Sequence, residues 1–146
     1  MSNSAVVGTW VLESSVLRFA DGTVESNTGG EAVGSIMYDS AGRMSVQIFK
    51  IGRTKFASPD PRRGTPGEMA DAYEWSVSYF GRYSLEQQGQ IVHHVEGSLF
   101  PNWQGIDQVR YLEIEGDRLF LTTPTITMAG RSFAGELTWR KVTSTP

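Results

Sequence analysis

HHVEGSLFPNWQGIDQVR, residues 93–110, is the stretch on which the reading of this chain turns. It holds both histidines of the protein, a carboxylate at Glu96, a Pro101-Asn102-Trp103 break, and then a second extended run carrying Arg110. Each side of the break has the β-branched and apolar content of a strand. The segment reads as two neighbouring sheet strands joined by a loop with a large aromatic in it. Ionisable groups in such a pattern are ordinary on an outer face. Facing a barrel interior, they must be paired or serve a function.

Working outward, the same alternation recurs on both sides. Strands are predicted over 6–19, 33–38, 43–50, 77–86, 90–99, 107–115, 118–123 and 133–142, after a frayed tail at 1–5. Turn signals separate them at Asp21-Gly22, Asp39 to Gly42, Gln87 to Gly89 and Gly116-Asp117. Residues 51–67 break the rhythm with Ser58-Pro59-Asp60-Pro61 and Arg62-Arg63. Thr65, Pro66 and Glu68 then form a capping-box start for a short helix over 66–75, either a lid or a local cover. Eight sequential antiparallel strands are best satisfied by closing the sheet, because closure removes both edges. The predicted fold is all-β: one domain over residues 1–146, an eight-stranded antiparallel barrel with one short inserted helix. Such a barrel is either filled by side chains or holds one small ligand.

Composition narrows the function. The chain has 146 residues, net charge -3, pI about 5.4 and 39% hydrophobic residues, with no basic block. A nucleic-acid footprint would need clustered Lys and Arg. Cysteine is absent, which removes disulfides, thiolate nucleophiles and thiolate metal sites. Adjacent strand histidines point to opposite faces, so His93 and His94 do not ligate one ion together, and no metal is expected. No Gly-rich phosphate loop precedes a helix. Neither a signal-peptide pattern nor an apolar run of about 18 residues occurs, so the expectation is a cytoplasmic protein without a membrane span.

Gly8-Thr9-Trp10 at the start of the first strand resembles the Gly-x-Trp signature of the lipocalins and the wider calycin group. Further runs extend the likeness: Arg43 to Gln47, Tyr79 to Tyr83, His93 to Ser98, Pro101 to Trp103, Gln108 to Arg110 and Gly116 to Leu119. Together, over roughly residues 6–141, they are similar to the lipocalin-like domain family of small bacterial and fungal proteins. The resemblance implies a barrel with an interior pocket. It also implies that Trp10 closes one barrel end beneath an Arg of the last strand, for which Arg140 is the matching position. Some lipocalin-like barrels act in natural-product biosynthesis as cofactor-independent cyclases or isomerases.

The candidate chemistry depends on strand register. Alternation puts His94, Glu96 and Ser98 on one face, and His93, Val95, Gly97 and Leu99 on the other. Arg110 shares an inward-reading face with Gln108, Leu112 and Ile114. If His94 and Glu96 also face inward, the cavity holds an imidazole, a carboxylate and a guanidinium, with the Tyr79 phenol beside them. That set can move a proton and steady an oxyanion. The apolar residues Ile91, Val95 and Leu99 accompany His93 instead, so periodicity favours His93 inside. The family-like motif favours His94. A bulge near Gly97 rescues either. The bland alternative is a hydrogen-bond network that fixes register, or a surface ion pair.

The expected function is binding of a small, partly apolar molecule bearing a carbonyl, carboxylate or phenol. Cofactor-free isomerisation, cyclisation or dehydration would be added if His94, Glu96, Arg110 and Tyr79 converge. Tyr38, Gln47, Phe49, Trp103, Gln108 and Leu112 are the candidate wall residues, and Trp10 with Arg140 is a structural pair. The competing readings are a non-catalytic carrier and a packed barrel that binds a protein partner. The exposed strand faces leave room for a homodimer.

Overall fold

The computed structural model describes residues 5–87 and 89–143. Residues 1–4 of the expected tail, and Gln88 of the expected turn, lie outside the described residues. Ten strands form one sheet: β1 Gly8–Phe19, β2 Val24–Ser26, β3 Ala32–Tyr38, β4 Arg43–Lys50, β5 Ser76–Leu85, β6 Gln90–Ser98, β7 Asp107–Glu115, β8 Arg118–Thr122, β9 Ile126–Met128 and β10 Arg131–Lys141. Eight of them run in the order β1-β3-β4-β5-β6-β7-β8-β10, and β10 pairs back onto β1 to close an antiparallel barrel of lipocalin-like type. These eight are the predicted strands. The two unpredicted ones, β2 and β9, are three-residue extensions paired to the far ends of β1 and β10. Their residues are exposed and each strand is only three residues long, too short for alternation to register as a strand signal.

The two barrel ends differ because the connections differ. At one end the hairpins are tight, with Gly42 and Gly116 in positive-φ turns, and Asp39 Oδ1 accepts the amides of Ala41 and Arg43. Trp10 plugs this end, its indole N–H donating to the Val6 carbonyl at 2.9 Å. The cation over its ring is Lys141, 5.4 Å from the centroid, and not Arg140. Arg140 is exposed and pairs with Glu13, because it sits one residue off the inward-facing Trp139 of β10. Trp10 keeps its structural place, and the expected Arg140 partner is corrected to Lys141. Trp10, Tyr38, Met44, Tyr83, Ile91 and Leu119 belong to the buried cluster filling the barrel behind this plug.

Long connections crowd the other end. The helix α1, Pro66–Glu74, has the predicted capping box: Thr65 Oγ1 accepts the Glu68 amide and the Glu68 carboxylate accepts the Thr65 amide. The helix buries no residue of its own and is tied to the preceding loop by polar contacts, Arg53 to the Ala72 carbonyl and the Thr54 amide to Asp71. Arg62 and Arg63 are exposed, and Arg63 pairs with Asp60. At the C-cap of α1, Trp75 lies flat against Gly29, where an added Cβ would come 2.6 Å from the indole. Gly29 also has φ +69°, a left-handed backbone that costs other residues about 1–2 kcal/mol. Gly29→Ala is therefore expected to lower stability by about 1–2 kcal/mol and to free Trp75 from the loop. Urea unfolding, followed by indole emission shifting toward that of an exposed tryptophan, checks both.

One irregularity governs the interior. In β5–β6 pairing, Tyr79 opposes Ser98 and Phe80 opposes Gly97, but Gly81 opposes Val95. Glu96 has no partner, so it is the extra residue of a β-bulge. Gly81 permits it: a Cβ there would collide with the His94 carbonyl oxygen and lie 3.0 Å from the Glu96 amide nitrogen. The extra residue reverses the alternation. Before the bulge Ile91, His93 and Val95 face in; after it Ser98 faces in, its hydroxyl buried.

Candidate functional site

Above the packed half, the barrel encloses a cavity of about 690 Å³ that opens among the long connections. Its walls are inward residues of the alternating strands, among them Ile36, Val46, Ile48, Val77, Leu121 and Leu137. Trp75, Trp103, Ile126 and Phe133 stand around it toward the open end. Trp103 is held edge-on to Tyr79, centroids 5.9 Å apart, and to Phe100 at 5.2 Å. It is thus both anchor and wall.

His93 lies at the inner end of this space and is 1% exposed. Its Nδ1 is 2.7 Å from the Tyr79 hydroxyl and its Nε2 is 2.7 Å from the Tyr38 hydroxyl. Burial first, then the guanidinium of Arg110 and the neighbouring His94, push His93 from an ordinary 6.5 down to about 3. It is therefore neutral at physiological pH. Burial raises both phenols, so Tyr38 and Tyr79 stay protonated, against a smaller lowering by Arg110.

A neutral imidazole has one N–H and one lone pair, so only one phenol can donate to it. Tyr38, at 2% exposed, has no other acceptor among the described residues. A buried hydroxyl left without an acceptor costs about 1–3 kcal/mol. The lower-energy assignment has Tyr38 donating to Nε2 and His93 donating from Nδ1 to the Tyr79 oxygen. That leaves the Tyr79 proton, on a cavity-lining side chain, to be donated elsewhere.

Two more donors border the same space. Arg110 lines the cavity, and its Nη1 donates to the Val109 carbonyl at 2.8 Å and to Gln108 Oε1 at 3.3 Å. The indole nitrogen of Trp139, another lining residue, is buried without an acceptor. Tyr79 and Arg110 therefore offer hydrogen bonds to whatever enters, while the Trp139 indole nitrogen is closed off from the space.

The predicted acid–base set is split by the barrel wall. Tyr79 and Arg110 are inside with His93, while His94 and Glu96 are not. His94 points outward, Nε2 2.8 Å from the Ser84 hydroxyl and Nδ1 2.8 Å from Asp107. Glu96, exposed on the bulge, forms a two-pronged pair with Arg43 at 2.8 and 3.0 Å and approaches Arg82 at 3.7 Å. Arg43, then, holds the Glu96 carboxyl below its usual range. The expectation that His94 and Glu96 converge on Arg110 is corrected, because the apolar face of β6 runs through Ile91, His93 and Val95 as far as the bulge.

Of the candidate wall residues, Trp103 and Gln108 line the cavity, and Tyr38 is one step behind it through His93. Leu112 is buried in the packed half, outside the lining. Gln47 and Phe49 are corrected to the outer face: β4 turns Met44, Val46 and Ile48 inward, Gln47 bonds Ser45, and Phe49 meets Arg53. Sequence reading missed Trp75, Phe133 and Trp139. Alternation back from Trp139 through Leu137 to Gly135 carried the signal for β10. Nothing local marks Trp75, which follows a helix and meets the cavity only in the fold. Among the described residues no group of three His, Asp or Glu side chains is arranged to hold a metal ion, and no helix is long and apolar enough to cross a membrane.

A lipocalin-like domain family matches residues 7–142. A 4'-hydroxy-3'-methoxypropiophenone carrier protein of Aspergillus oryzae (strain ATCC 42149 / RIB 40) is 32% identical over 107 residues, covering 68% of this chain and 96% of that protein. Among solved structures, a lipocalin-like protein from Bacteroides uniformis ATCC 8492 overlays with TM-score 0.49 at 16% identity, covering 94% of this chain and 99% of that one. Fatty-acid-binding protein 1 of Echinococcus granulosus gives 0.43 at 17%, covering 96% and 99%. At these scores neither overlay carries an argument about the site. The family match, spanning nearly the whole barrel, and the curated relative together establish that this chain belongs to the lipocalin-like domain family.

Proposed function

We propose that this barrel takes up a small, partly apolar aromatic molecule bearing an oxygen acceptor and carries it without chemical change. The observation that carries the reading is the mismatch inside the cavity: apolar walls, with donors at Tyr79 and Arg110 that have hydrogens to spare. Small-molecule sites combine apolar enclosure with a few placed polar groups in this way, in volumes of about 300–1,000 Å³. The relative that carries an aryl ketone, a phenol with a carbonyl oxygen, supports the same class of ligand here.

Turnover has weaker support. The histidine in the cavity is held neutral and is protonated only near pH 3, so at neutral pH it is a poor proton acceptor for carbon acids. The imidazole and carboxylate that would have completed an acid–base set face the other way. A fully packed interior, the premise of a purely surface-binding module, is at odds with the cavity.

Titration with 4'-hydroxy-3'-methoxypropiophenone, followed by quenching of the cavity tryptophans, tests the proposal. Saturable binding is expected. Tyr79→Phe, which removes the hydroxyl that has a proton to spare, should weaken it about five-fold, the worth of one hydrogen bond. Mass spectrometry should recover the compound unaltered. No saturable binding, or full affinity in Tyr79→Phe, would overturn the assignment of the site; a converted product would replace the carrier by an enzyme.

A further inference from the structure

The free edge of Arg110 points to a narrower ligand class. Resting on the binding reading above, we infer that the cavity prefers an aromatic carboxylate to a neutral ketone or ester of the same shape. Both hydrogen bonds of the guanidinium to the protein leave from Nη1, one to the Val109 carbonyl and one to Gln108 Oε1. Nε and Nη2 have no acceptor among the described residues. These two nitrogens form the side-on fork that matches the two oxygens of a carboxylate. A ketone oxygen engages one prong only.

Charge leads to the same conclusion. Two carboxylates line the cavity, Glu74 and Asp107, and neither pairs with Arg110 within 4 Å. Asp107 is engaged with His94 on the outer face. The guanidinium is half-buried in a largely apolar space, and at the inner end it adds to the effect of burial on His93 and opposes the upward push of burial on both phenols. A neutral ligand displaces water from this cation and leaves its charge uncompensated. A carboxylate neutralises it, and its aromatic body remains free to fill the space between the Tyr79–Trp103 pair and the apolar walls. Held on the fork, the acid lies in the same cavity as the spare Tyr79 proton, which is available to a second oxygen of the ligand.

Calorimetry on the full chain at neutral pH with a matched set decides the point: 3-(4-hydroxyphenyl)propanoate, its methyl ester, and 4'-hydroxypropiophenone. In the wild type the acid is expected to bind at least about ten-fold more tightly than the ester and the ketone, the range of a two-pronged charged hydrogen bond. Arg110→Gln should reduce that ratio to about two-fold or less. Arg110→Lys should restore only part of it, because an ammonium has no fork. An ester or ketone that binds as well as the acid would overturn the inference while leaving the carrier reading intact. So would an acid preference that persists in Arg110→Gln. If none of the three compounds binds, both fall. The wild-type ratio alone is decisive if the variants fold poorly.

Discussion

His93→Gln is expected to remove most of the acid sensitivity of folding between pH 6.5 and 4. Burial holds the native imidazole at about 3, against 6.5 when it is exposed in the unfolded chain. Between those values the unfolded state binds a proton that the native state does not. Stability contributed by neutral His93 is therefore complete above pH 6.5 and is lost as pH falls toward 3. At pH 4 the loss is roughly 3 kcal/mol, taking about 1.4 kcal/mol for each unit of pH. Glutamine cannot take up that proton. At pH 7 the variant should be less stable by about 1–2 kcal/mol, since one amide satisfies the two phenols less well than an imidazole. Urea unfolding at pH 7 and pH 4 should therefore give curves that converge or cross. Surface carboxylates such as Glu13, Glu68 and Glu96, all held below the usual 4.5 by hydrogen bonds, contribute stability that both proteins lose alike as pH falls from that value through their lower native ones. Parallel loss in the two proteins would mean that His93 is not buried between Tyr38 and Tyr79.

The second large effect concerns a glycine with no side chain to contribute. Gly81→Ala would put a Cβ against the carbonyl oxygen of His94 and 3.0 Å from the Glu96 amide nitrogen. Both are backbone atoms on the paired strand, so neither can move without opening the bulge. Overpacking of this kind costs about 3 kcal/mol, which for a chain of this size lowers Tm by about 6–12 °C. Binding should suffer as well, because the bulge sets the register that faces His93 into the barrel beside Tyr79. Gly97→Ala is the control. Its Cβ would come 2.5 Å from the Phe80 ring, but that ring is half exposed and can turn outward. The control should lose about 1 kcal/mol or less. Equal losses would show that the bulge is not held by Gly81.

The outer face has its own order. Ser84, His94 and Asp107 form a hydrogen-bonded row across β5, β6 and β7, and Arg43 and Arg82 flank Glu96 beside it. These contacts run across strands, with Arg43 on β4 reaching over β5 to Glu96 on β6, and they fasten the outside of the segment whose inside is the site. Exposed ion pairs are each worth little, about 0–1 kcal/mol. Their value lies in position: they tie down the unpaired bulge residue and the histidine next to it.

What the sequence by itself determined was everything with a short period or a local partner. The eight barrel strands follow from alternation between turn signals. Closure follows from having eight such strands in succession, and α1 follows from Thr65, Pro66 and Glu68. Arg110 and Gln108 were placed on an inward face because β7 alternates without interruption from Gln108 to Ile114. Between the two histidines the alternation of Ile91, His93 and Val95 favoured His93 and the family-like motif favoured His94, and the tertiary structure decided for His93. A period of two has no memory of an inserted residue, and Glu96 is inserted because Gly81, on another strand, leaves room for it. The same holds for Lys141 over Trp10, where neighbours in the chain compete and strand direction picks the winner, and for Trp75 against Gly29, brought together from 46 residues apart by closure of the barrel mouth. Alternation fixes a side chain relative to its own strand. Only pairing between strands fixes it relative to the cavity.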